Sequence, residues 1–80
     1  MTERYMLEYN ETQQLFHLNP FNEYTNDWEK PLYSNGWRPI NIIADESVNN
    51  DFLTFIDKLS GQNHSLEKVG FEVYNYLIRL

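Results

Sequence analysis

The sequence predicts an α+β fold: a small antiparallel sheet, made of an N-terminal hairpin plus a strand near residues 40–44, packed on two C-terminal helices. Three observations predict it. Arg4 to Tyr9 alternates with the period of a strand, Tyr5, Leu7 and Tyr9 facing one way and Arg4, Met6 and Glu8 the other. Ile40, Ile42 and Ile43 concentrate β-branched residues just ahead of a polar break. Beyond Asp51, apolar residues return every three or four positions, which is the helical period.

The elements follow in order. Asn10 to Gln13 is polar and turn-like, and Gln14 to Leu18 is a second apolar run, so the two runs read as a hairpin. Asn19-Pro20 is expected to close it, because the residue before a proline is steered out of the helical region. Phe21 to Trp37 supports two readings. Phe21, Tyr24 and Trp28 have the i, i+3, i+7 spacing of a helix face, with Asn19 as cap, Pro20 in the first turn and Pro31 as stop. Asn35-Gly36 instead suits a tight turn between Leu32-Tyr33 and Trp37-Arg38, the mark of a hairpin after a loop. Pro39 has no amide donor and belongs at the start or edge of the strand over Ile40 to Ala44.

Ser47, Asn49 or Asn50 can cap the first helix, which carries Phe52, Leu53, Ile56 and Leu59 and ends at Gly61. Ser65 can cap the second. There Leu66, Val69, Val73, Leu77 and Leu80 make an apolar stripe, opposite Glu67, Lys68, Glu72, Asn75 and Arg79. A strand is the rival over Phe71 to Tyr76, since Gly70 weakens a helix, but the segregated faces favour the helix.

Eighty residues make room for a single compact domain, 1–80, with no repeat and no linker. Such a chain buries only about 60% of its unfolded surface, so no deep pocket of several hundred Å3 is expected. The absence of cysteine excludes disulfides and thiolate metal sites. Glu3, Arg4 and Glu8 interrupt the first residues, no signal peptide is read there, and no apolar run reaches the about 20 residues of a membrane span. A cytoplasmic setting is therefore expected. The triplets Asn10-Glu11-Thr12 and Asn63-His64-Ser65 then read as chance matches to a glycosylation signal.

The net charge is −6, from twelve acidic and six basic side chains. That sign opposes direct binding to nucleic acid and to anionic lipid, and it suits a basic protein partner. The acids are dispersed, as on an ordinary solvated surface. No motif for chemistry emerges. His17 and His64 lack metal spacing, and they read as a sheet residue and a loop residue. Asp45, Glu46 and Asp51 suit the start of a helix better than a calcium loop. The serines lie in turns or caps, the glycines form no phosphate loop, and Asn19-Pro20-Phe21 reads as a helix start rather than an adaptor-binding tripeptide. No catalytic residue, metal site or cofactor is expected.

The positive signal is aromatic. Thirteen residues are Phe, Tyr or Trp, more than a core this small can hide. Phe21, Tyr24, Trp28, Tyr33 and Trp37 fall among turn residues with Lys30 as the one cation, and they form the candidate binding patch, with capping one end of the core as the plainer reading. The expected function is a small acidic non-enzymatic binding module (a regulator, inhibitor or adaptor). The alternatives are an acidic nucleic-acid mimic, such as phage-encoded inhibitors use, and a self-associating subunit, for which a homodimer is the simplest form.

Overall fold

The computed structural model describes residues 2–79. Strands β1 (Arg4–Asn10), β2 (Leu15–Asn22), β3 (Asp27–Trp28) and β4 (Trp37–Ala44) precede helices α1 (Asn50–Leu59) and α2 (Leu66–Ile78). The strands form one antiparallel sheet in the order β3-β2-β1-β4. This is the α+β arrangement the sequence predicts, with one further short strand.

The alternation of β1 holds. Tyr5, Leu7 and Tyr9 face the helices, with Phe16 and Leu18 opposite on β2. Leu7, Ile43, Phe52, Ile56 and Val73 form the buried centre of the core. Tyr76 joins the helices by stacking on Phe55, with ring centroids 4.4 Å apart. Both predicted caps form: Asn49 Oδ1 accepts from the Phe52 amide at 2.9 Å, and Ser65 Oγ accepts from the Lys68 amide at 3.1 Å. Residues 66–78 are helical throughout, so the stripe of Val69 and Val73 reaches the core despite Gly70; Leu80, placed on the same stripe, lies outside the described residues. No helix among the described residues is long and apolar enough to cross a membrane.

Three expectations fail. Asn19-Pro20 does not close the hairpin, because β2 runs on to Asn22. The extended bias of a pre-proline residue serves a strand as well as a turn, and the Pro20 carbonyl still accepts from the Glu29 amide at 2.9 Å. The helix over 21–28 does not form, because Phe21 is already in β2 and pairs across a tight turn with Trp28. The hairpin around Asn35-Gly36 is absent too. Those residues make a short 3-10 turn, with Tyr33, Asn35 and Gly36 at φ of 63°, 53° and 85°, leading straight into β4.

β4 starts at Trp37, three residues earlier than predicted, and Pro39 does lie on an edge strand. Opposite β1, the register passes from Leu7↔Asn41 to Glu8↔Pro39, leaving Ile40 as an extra residue. This bulge inverts the alternation of β4. Ile40 packs against the helix-side core, while Pro39 and Trp37 turn to the other face beside Glu8 and Asn10.

Candidate functional site

β3 and β4 occupy opposite edges of the sheet, so residues 29–36 must cross it. They cross on the face away from the helices. Two asparagines hold them there. Asn19, fully buried, donates from Nδ2 to the Lys30 carbonyl at 3.0 Å and accepts on Oδ1 from the Lys30 amide at 3.1 Å. Asn10 donates to the Asn35 carbonyl at 3.2 Å, while its Oδ1 accepts from the Thr12 and Gln13 amides. The crossing segment thus satisfies its backbone with side chains of the sheet it covers.

Beneath it lies a cavity of about 210 Å3, lined by Glu8, His17, Lys30, Pro31, Ser34, Asn35 and Trp37. Glu8 and His17 are cross-strand partners on β1 and β2. Glu8 is only 2% exposed, and its Oε2 has no hydrogen-bond partner; neither has the buried Nε2 of His17. The two groups approach to 4.0 Å, too far for a hydrogen bond. Burial pushes the Glu8 carboxyl above its ordinary range, against the Lys30 charge, which pulls it down. Burial also depresses the His17 imidazole, and Lys30 adds to that. The cavity therefore holds a carboxyl and an imidazole side by side, each with its charged form disfavoured by burial and with unmet hydrogen-bonding capacity. The Trp37 ring meets His17 edge-on at 5.9 Å.

The five predicted rings divide among different settings. Phe21 is buried and packs edge-to-face on Trp28 at 5.0 Å, with the Arg4 guanidinium 4.1 Å from its ring centre. Tyr24 is 87% exposed on the β2–β3 turn. Tyr33 lies exposed near Arg38, and Trp37 walls the cavity. Among these five, Phe21 and Trp28 are the one pair in ring contact among the described residues.

By sequence pattern alone His17 is an ordinary sheet residue and Glu8 belongs to a solvated face. Counting outward from the turn at 11–14 already places Glu8 opposite His17. The signal that was missing is the cover, which depends on where residues 29–36 run.

A second feature lies on α2. Phe71, Tyr74 and Ile78 are 62%, 58% and 60% exposed. Their i, i+3, i+7 spacing sets them in a row away from Val69 and Val73. The face read as polar thus carries an apolar row among its charges, where Lys68 and Glu72 pair at 3.0 Å. Among the described residues no group of three or more acidic or histidine side chains could hold a metal ion.

Fold and sites together define a small α+β domain with a strapped polar cavity on one side of its sheet and an exposed apolar helix row on the other. Compared with known proteins, the chain matches no protein-family model, no curated protein and no solved structure.

Proposed function

We propose that the protein is a non-enzymatic binding module that docks a basic protein partner on the outer face of α2. The observation that carries this reading is the row of Phe71, Tyr74 and Ile78, all more than half exposed on one helix face. Single exposed apolar residues are ordinary, but a helical row of three with two rings is the pattern used when a helix face meets a partner. The net charge of −6 selects the partner: it repels a second copy of the chain and steers a cationic surface towards this one. The anchoring rings thereby move from residues 21–37 to α2.

The test is affinity capture from a lysate of the source cells, with a Phe71→Ser, Tyr74→Ser variant alongside. The expected result is one stoichiometric basic protein, bound more weakly at high salt and lost with the variant, whose unfolding curve stays unchanged. Sedimentation showing a wild-type dimer that the variant dissociates would replace this reading with self-association.

A further inference from the structure

We propose that the cavity under residues 29–36 is a binding site for a small zwitterionic amine of α-amino-acid size, with its ammonium on Glu8 and His17 and its carboxylate towards Lys30. Three observations converge on this chemistry. Glu8 Oε2 and His17 Nε2 are both buried without a hydrogen-bond partner, and a carboxyl oxygen and an imidazole nitrogen can each accept from a donor. An ammonium carries three donors and can bridge groups 4.0 Å apart, as Glu8 Oε1 and His17 Nε2 are. Lys30 lines the same cavity, and no ion pair engages it among the described residues. A simple cation would be repelled by Lys30, whereas a ligand with an anionic end gains from it.

Size and walls agree. About 210 Å3 is far more room than one water needs and less than a drug-sized ligand fills. Trp37 and Pro31 supply apolar wall for a ligand side chain, and Ser34 also lines the cavity. The walls are also fixed in advance. Asn19 and Asn10 pin the cover, and the bulge at Ile40 aims Trp37 inward. Tyr33 and Asn35 hold left-handed backbone conformations beside the cavity, the kind of strain that collects at ligand sites. This site is separate from the α2 row, so either proposal can fail alone.

The experiment is an amide-and-indole NMR titration of the full labelled chain with alanine and with leucine, repeated with N-acetylalanine and alanine amide. The expected result is saturable shifts at Glu8, His17, Lys30 and Trp37 with both free amino acids. Binding should weaken about tenfold or more for the acetylated ligand, for the amide, and in Glu8→Gln. Lys30→Met, a change on the surface, should give the same loss for the free amino acids while leaving the amide unaffected. Absence of saturable shifts with both free amino acids would overturn the proposal and leave water as the occupant. Equal shifts with N-acetylalanine, or an unchanged affinity in a folded Glu8→Gln, would overturn it as well.

Discussion

The two faces of the sheet are closed by different physics. On the helix side, Leu7 and Ile43 meet Phe52, Ile56 and Val73 in a dry core, and closure follows from apolar area. On the far side, Glu8, Asn10 and Asn19 are just as buried, yet what covers them is a length of backbone held by asparagine side chains. Hydrophobic closure tolerates approximate geometry, because area is not directional. Polar closure depends on a few directed bonds and leaves unfilled space where side chains do not reach. The cavity, the unpartnered Glu8 and His17 atoms and the left-handed Tyr33 and Asn35 fall on the polar side.

Substitutions should separate the two closures. The largest effect belongs to the apolar side. Phe52→Ala opens a void at the centre of the core and should cost about 3–5 kcal/mol in urea unfolding, enough to unfold a marginal domain. Asn19→Ala should cost about 1–3 kcal/mol, since it strands the Lys30 amide and carbonyl. Its distinguishing sign is local: hydrogen exchange at Lys30 should quicken far more than exchange in α1 or α2. Gly36→Ala should cost about 1–2 kcal/mol, because φ is +85° and the added Cβ would lie 3.3 Å from Asn10 Nδ2.

The pH dependence is smaller and has a definite sign. The Glu8 pKa is raised, so Glu8 contributes stability in full below its ordinary value of 4.5, and that contribution is lost as pH climbs through the folded value. His17 is depressed, so its contribution is complete above its ordinary 6.5 and is lost as pH falls through the folded value. Glu8→Gln removes the first and keeps the second. Its stability relative to wild type should therefore rise as pH climbs above 4.5 in parallel thermal melts. The smallest effect is expected on α2, where Phe71→Ser should change stability by no more than about 0.5 kcal/mol while removing partner binding.

The apolar half of this structure was legible in the sequence. Periodicity marked β1, both helices, their caps and the residues that fill the core, because local pattern and burial there say the same thing. Residues 21–37 were not legible. Phe21, Tyr24 and Trp28 mimic helical spacing although Phe21 and Trp28 face each other across a hairpin. Asn35-Gly36 serves a 3-10 turn instead of a type of turn it fits equally well, and Pro20 sits inside a strand. What decides the path of this segment is the pair of bonds from Asn19 to Lys30, eleven residues away, which leaves no periodic trace. The bulge at Ile40 is equally silent, and without it Trp37 would face the helices.

One measurement bears most directly on the polar closure: a carbon-13 pH titration of the Glu8 side-chain carboxyl in wild type and in Asn19→Ala. A covered cavity predicts that Glu8 titrates above the ordinary glutamate value of 4.5 in wild type and returns towards it when the crossing segment is released. An ordinary Glu8 titration in the wild-type protein, unchanged by Asn19→Ala, would mean that residues 29–36 do not seal this face.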